Sequence, residues 1–253
     1  MILFQPTILR FDSIDSTNLE AIRQAKAGVR EGLCIIAREQ TRGRGRLDRS
    51  WQSPKDAGLY LSIILRPQIE MNTWPLITLM ASLAVADSLM KACDLRADIK
   101  WPNDLCVADR KLCGVLAETV ETEDGTAAIV GVGINLNADS LPTTVSDLAI
   151  SVEAVTGRRP NPEIILGEVL KSFTERYELL QTSSGAEHTI REWCANSSYA
   201  IGRRVRVLIG EETFEGTTRG LESDGALRVE TDGGKIRIVR AGDVTAVRAM
   251  DRG

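Results

Sequence analysis

The chain has 253 residues, 43% hydrophobic and 26% charged, enough for one large globular domain and a small one. Its net charge of −4 speaks against a basic surface for duplex DNA. The only histidine, His188, rules out histidine-rich metal sites and leaves a Ser-His-Asp or Cys-His apparatus nothing else to rest on.

Ile8–Phe11 reads as a strand, followed by a turn over Asp12–Asp15. Thr17-Asn18-Leu19-Glu20 fits a capping box, with a helix carried by Leu19, Ile22 and Ala25 and closed by Gly28. Leu33–Ala37 is a short apolar strand, and an arginine-glycine loop hangs off its end. Leu59–Leu65 reads as a strand and Trp74–Ala92 as a helix buried on several faces. Arg96–Lys100 is a short strand; Leu105–Ala108 and Lys111–Thr119 flank a hairpin turn at Asp109-Arg110. Ala127–Asn135 is an apolar strand ending in glycines, and Pro162–Leu180 and Glu187–Ala195 read as helices.

Near residue 200 the pattern changes to closely spaced strands at Arg203–Ile209, Thr213–Gly220, Ala226–Thr231 and Lys235–Val239. These suggest a small barrel over 201–253, behind a main domain over 1–200. Hairpins mixed with helices favour an α+β main domain over a doubly wound sheet. Cys34, Cys93, Cys106, Cys113 and Cys194 form no Cys-x-x-Cys pair, which points to reduced, mostly buried thiols. The N-terminus lacks the plan of a signal peptide, and the apolar run Leu76–Ala86 is too short to span a membrane. A cytoplasmic location is expected.

The segment Thr41-Arg-Gly-Arg-Gly-Arg-Leu-Asp-Arg-Ser-Trp51 is the most informative. Glycine lets backbone approach a ligand, arginine offers a fork of donors for carboxylate or phosphate, and tryptophan offers a face for a base. A solvated basic turn is the plain alternative. Ser16-Thr17-Asn18 at a helix start would hold a polar head group or simply cap. Lys100-Trp101-Pro102-Asn103-Asp104 gathers a cation, an aromatic, an amide and a carboxylate, or is only a turn. Lys111 would point at a ligand or sit on an exposed edge, and Gly131-Val132-Gly133-Ile134-Asn135 offers backbone that another group can approach, or a bulge.

In this order, Ser-Thr-Asn, the long arginine-glycine-tryptophan loop starting at Gln40, Lys-Trp-Pro-Asn-Asp, Lys111-Leu-Cys-Gly114 and Gly-Val-Gly-Ile-Asn resemble the biotin protein ligase family over about residues 8–137. Asp224-Gly-Ala-Leu227 and Ala241-Gly-Asp-Val244 resemble its small C-terminal domain. The resemblance implies a class II aminoacyl-tRNA synthetase-like catalytic domain, a mixed sheet with helices, plus an SH3-like β-barrel. It implies an enzyme that uses ATP with Mg2+ to make biotinyl-5′-AMP and passes biotin to a lysine of a carboxylase's biotin carboxyl carrier domain. By that resemblance Ser16, Thr17, Asn18, Gln40, Gly43, Arg44, Gly45, Arg46, Lys111 and Gly114 would meet biotin. Arg46, Arg49, Trp51, Asn103, Asp104, Lys111 and Asn135 would meet ATP or the adenylate, with Trp51 on adenine and Asp104 near the metal. Lys111, Arg44 and Arg46 would carry the catalysis.

The chemistry is consistent: a carboxylate attacking an α-phosphate needs cations and ordered donors, not histidine. Two departures stand out. Asp48 occupies a position where the family usually has glycine, so it is expected to avoid positive φ and to pair with Arg46 or Arg49; Arg42 replaces a small residue. The first catalytic strand begins soon after Met1, so no N-terminal helix-turn-helix and no site-specific DNA binding are expected. An exposed sheet edge would allow a homodimer, but no residue singles one out. Two competing readings are a lipoate or octanoate ligase and a nucleic-acid-binding module with the arginine loop as contact surface and the small barrel as an RNA or DNA reader.

Overall fold

The computed structural model describes residues 4–137, 141 and 147–247. Its strands are β1 (Thr7–Phe11), β2 (Leu33–Ala37), β3 (Gly58–Leu65), β4 (Asp98–Lys100), β5 (Asp104–Val107), β6 (Arg110–Thr122), β7 (Gly125–Asn135), β8 (Ile201–Ile209), β9 (Glu212–Leu221), β10 (Leu227–Glu230), β11 (Ile236–Val239) and β12 (Asp243–Ala246). The helices are α1 (Thr17–Lys26), α2 (Pro75–Cys93), α3 (Val152–Thr156), α4 (Pro162–Leu180) and α5 (Gly185–Ala195). The first seven strands form one mixed sheet in the order β1-β2-β3-β7-β6-β5-β4. In it β1 runs parallel to β2 and the other pairs are antiparallel. The last five form an antiparallel sheet in the order β11-β10-β9-β8-β12.

The central strand β3 reads as a continuous apolar run because both its faces are covered. Leu59, Leu61, Ile63 and Leu65 face the large core under α2, and Ile64 faces a smaller core with Ala21 and Ala25 of α1. α2 starts with Pro75 in its first turn and stops at Asp94, a left-handed C-cap. Its fully buried Leu76, Ala81, Leu83 and Ala84 belong to the large core, and its closest helical neighbour is α4. Burying one leucine there contributes roughly 2 kcal/mol, and the two alanines leave no room for larger side chains without shifting the helix. By length and composition α2 could cross a membrane, contrary to the shorter apolar run read from the sequence. Most of it is buried in protein, as befits a core helix. Val205, Val207, Leu227, Val229 and Val244 of the second sheet join the same core, so the two sheets are packed together.

Several boundaries differ from the sequence reading. The N-cap of α1 is Ser16, whose hydroxyl accepts from Leu19 N at 3.5 Å, not Thr17. Glu20 does not close a capping box; it accepts from Arg23 and Gln24. The hairpin turn is Ala108-Asp109, with φ of 50° and 60°, and β6 already begins at Arg110. The short helix α3 and the strand β12 carried no periodicity long enough to be read. Residues 248–253, the end of the stretch read as a barrel, lie outside the described residues.

Candidate active site

A cleft opens on the face of the main sheet where α1 begins. Gly131 and Gly133, two apart on β7, leave two bare spots on that face. A Cβ at Gly131 would stand 2.1 Å from Asn18 Oδ1, and one at Gly133 would stand 2.6 Å from the Trp51 indole. Glycine is what allows both side chains to lie against the sheet, the close approach expected of this motif. Gly114, across from Gly133 in β6, extends the seat of Trp51.

Around Asn18 a set of neutral, buried or half-buried polar groups is mutually bonded, with the Glu118 carboxylate at its edge. Thr17 N donates to Gln40 Oε1 at 2.8 Å, and Gln40 Nε2 donates to Ser53 Oγ at 2.8 Å. Ser62 Oγ, in the middle of β3, lies 2.7 Å from Thr17 Oγ1 and 2.5 Å from Asn18 Oδ1. The Asn18 amide nitrogen donates to Glu118 at 2.8 Å. Ser62 and Glu118 were not found from sequence. A single serine in an apolar strand and a glutamate in an alternating one carry no local signal.

The arginine-glycine loop closes one side. Gly45 N donates to Arg49 O at 2.7 Å, and Trp51 N donates to Gly43 O at 2.9 Å, so the loop folds back on itself as a narrow hairpin. Its tip is Leu47-Asp48, with φ of 54° and 56°. Asp48 therefore does adopt the left-handed conformation it was expected to avoid. Aspartate tolerates that region better than most residues because its short polar side chain bonds locally. Nor does Asp48 take Arg49, whose carboxylate partner is Asp243 of β12.

The cations converge here, each held by a carboxylate or carbonyl. Arg44 pairs with Glu118 at 3.0 Å. Arg46 donates to Asn103 Oδ1 at 3.1 Å and to Gly242 O at 3.2 Å, with Asp243 at 4.0 Å. Burial pulls the Arg46 guanidinium below its ordinary pKa, against the opposing charges of Asp243 and Asp104. Lys111 Nζ lies 2.7 Å from Asp104 Oδ1 and 5.3 Å from the Trp51 ring centre. Lys111 thus points into the cleft, and Lys-Trp-Pro-Asn-Asp is more than a turn. Asn103 Nδ2 anchors it to Val115 O at 2.7 Å, and Trp101 Nε1 reaches Gly225 O, in the turn between β9 and β10, at 3.0 Å.

Ser16, Thr17, Asn18, Gln40, Arg44, Gly45, Arg46, Arg49, Trp51, Asn103, Asp104, Lys111 and Gly114 all line the cleft. Gly43 and Asn135 do not. Gly43 is packed with its would-be Cβ 2.3 Å from Trp51 O, so its role is to let the loop turn. Asn135 donates to Lys111 O and Ile150 O, tying down the end of β7, and lines a neighbouring hollow shared with Trp51, Tyr60 and Lys111. No group of three or more metal-ligating side chains occurs among the described residues.

Two family profiles match the chain. The Biotin/lipoate A/B protein ligase family covers residues 10–135, and the Biotin protein ligase C terminal domain covers 200–245. The bifunctional ligase/repressor BirA of Bacillus spizizenii is 35% identical over 91% of this chain and 71% of that protein. The biotin--[acetyl-CoA-carboxylase] ligase of Paracoccus denitrificans is 31% identical over 91% of this chain and 96% of its own length. The structure of the Aquifex aeolicus biotin protein ligase in complex with biotin and ATP superposes with a TM-score of 0.82 at 29% identity, covering 96% of this chain and 99% of that one. The chain belongs to the biotin/lipoate A/B protein ligase family. Within it, the C-terminal match and these relatives place it among the biotin protein ligases.

Proposed function

We propose that this cleft joins the carboxylate of biotin to the α-phosphate of ATP and then hands biotin to a lysine of a biotin carboxyl carrier domain. The observation that carries the reading is the meeting of a buried hydroxyl-amide cluster with Arg44, Arg46, Arg49 and Lys111 in one cavity. The cluster suits a compact polar head group. The cations screen two anions that must approach each other, and the Trp51 indole offers a flat face toward the nucleotide side. A biotin carboxylate oxygen attacks the α-phosphorus and pyrophosphate leaves with the electrons of the broken P–O bond. The lysine amine then attacks the acyl carbon of the mixed anhydride, AMP leaves, and the amine loses a proton.

Lys111 and Arg46 are assigned to the developing charge on the phosphate, and Arg44 to the carboxylate. Ser16, Thr17 and Gln40 are assigned to the head group. Magnesium fits as a companion of ATP: the cleft offers the carboxylates of Asp104 and Asp243, too few for a cage of their own but suited to an ion that keeps phosphate and water ligands. Bound there, the ion would neutralise charge on the departing pyrophosphate. Five free cysteines accord with a reducing cytoplasmic setting.

ATP–pyrophosphate exchange with the purified protein tests the reading, with biotin, lipoate and octanoate compared side by side. Exchange driven by biotin alone is expected, followed by labelling of a carrier domain but not of its lysine-to-arginine variant. Exchange with lipoate or octanoate in place of biotin would overturn the choice of acid. No exchange with any acid, from folded protein, would overturn the ligase reading.

A further inference from the structure

A second hollow, of about 200 Å³, adjoins the cleft where the second sheet meets α2. It shares Arg46, Asn103 and Val115 with the cleft and touches none of Ser16, Thr17, Asn18 and Gln40. Its other walls include Thr78 of α2, Trp101, and Asp224 and Arg240 from turns of the second sheet. Arg240 belongs to none of the sequence motifs. Asp224 holds it in place: Oδ1 accepts from Ala226 N at 3.0 Å and Oδ2 from Arg240 Nε at 2.9 Å. Both terminal nitrogens of the Arg240 guanidinium are left without a partner among the described residues. Two guanidinium groups against one twice-bonded carboxylate give the hollow a net positive charge. A held fork with open N–H groups suits phosphate oxygens.

Adenylation needs such a place. Attack on the α-phosphorus is in line, so the leaving phosphates project away from the incoming carboxylate. With the head group at the α1 end and the carboxylate on Arg44, the far side of the reacting phosphate adjoins this hollow at Arg46. The neighbouring hollow beside Trp51, Tyr60 and Leu148 has Lys111 as the one cation among its described residues and suits a base instead. We propose that the hollow at Arg240 is the subsite for the β- and γ-phosphates of ATP, that Arg240 is a binding residue there, and that pyrophosphate departs through it. Arg46, which borders both spaces, then stands between the reacting phosphate and the leaving pair. The proposal rests on the ligase reading and extends it, because it gives the second sheet a direct contact with the charged end of the nucleotide.

The test is ATP–pyrophosphate exchange by Arg240→Ala, with KM measured for ATP, for pyrophosphate and for biotin, and AMP titrated as a competitor of ATP. The side chain is mostly exposed, so its removal leaves the core untouched. KM for ATP and for pyrophosphate should each rise about three- to tenfold, the worth of one hydrogen bond to a charged group near solvent, while KM for biotin and the affinity for AMP stay put. Losses of equal size for AMP and ATP would mean that Arg240 acts on the nucleotide as a whole and would overturn the subsite, as would an unchanged KM for pyrophosphate. Calorimetric titration with inorganic pyrophosphate and Mg2+ reads the subsite without turnover. Wild-type protein that binds pyrophosphate more tightly than the variant but exchanges with no acid would uphold the subsite and overturn the ligase reading. Exchange with biotin from a variant that matches the wild type in KM for both ATP and pyrophosphate would uphold the ligase reading and overturn the subsite.

Discussion

At the α1 end of the cleft, Thr17, Gln40, Ser53 and Ser62 are bonded to neutral groups of the chain, whereas at the loop end Arg44, Arg49 and Lys111 are held by Glu118, Asp243 and Asp104. The first network is largely buried and has to be satisfied within the protein, so it is pre-formed. The second consists of half-exposed ion pairs, each worth about 0–1 kcal/mol, which an incoming anion can replace at small cost. One end is built to recognise a shape and a donor pattern, the other to receive charge.

The hardest break of that contrast is Lys111→Ala. Removing a cation that is stabilising only when phosphate charge develops should slow adenylate formation by about 100- to 1000-fold. Single-turnover adenylation and circular dichroism would check it together. A folded variant with near wild-type rate would remove Lys111 from the reacting end. Gly131→Ala strikes the opposite end. A methyl group standing 2.1 Å from Asn18 Oδ1 cannot be accommodated without moving the amide, so biotin affinity should fall about tenfold with ATP affinity little changed. Calorimetric titration with each ligand would decide, and an unaltered biotin affinity would sink the idea that the floor is rigid.

These two residues also mark the divide between local and remote signals in the sequence. Lys111, the loop arginines and Trp51 were legible because their chemistry is dense within a short stretch. The two glycines of β7 were legible as places of close approach, but not what approaches them. Ser62, Glu118 and Asp243 were not assigned roles, because each acts through a partner remote in sequence. Asp243 meets Arg49 only once β12 has paired with β8 and the second sheet has joined the core of the first. Asp48 was misjudged by weighing glycine's freedom without aspartate's own tolerance of the left-handed region.

Asp243→Asn probes the replaceable character of the charged end directly. If Asp243 holds Arg49 and Arg46 until a phosphate arrives, its removal relieves competition. KM for ATP should then fall about two- to threefold at low salt, and the difference should shrink as salt screens the pair. A rise in KM for ATP would mean that Asp243 positions the arginines instead. The point substitution is cleaner than deleting the second sheet, which would strip Val205, Leu227 and Val244 from the shared core and unsettle α2 as well.

The smallest expected effect lies at the edge of the neutral end, where Asp15 leads into α1. The Arg23 guanidinium, hydrogen-bonded to it, holds its carboxyl down at about 2, with help from the Ser16 backbone N–H at 2.7 Å. A carboxyl depressed in the folded state contributes stability above its unfolded pKa of about 4 and loses that contribution as pH falls toward 2. The pair is partly exposed, so solvent screening leaves about 0.5 kcal/mol at most. Asp15→Asn should therefore lower the urea midpoint slightly at pH 7 and match the wild type near pH 2. Because Asp15 touches the helix start but not the cleft, KM for biotin should stay put. A shift in that KM comparable to the one expected for Gly131→Ala would mean that the neutral end extends to the surface and is less self-contained than its buried hydrogen bonds imply.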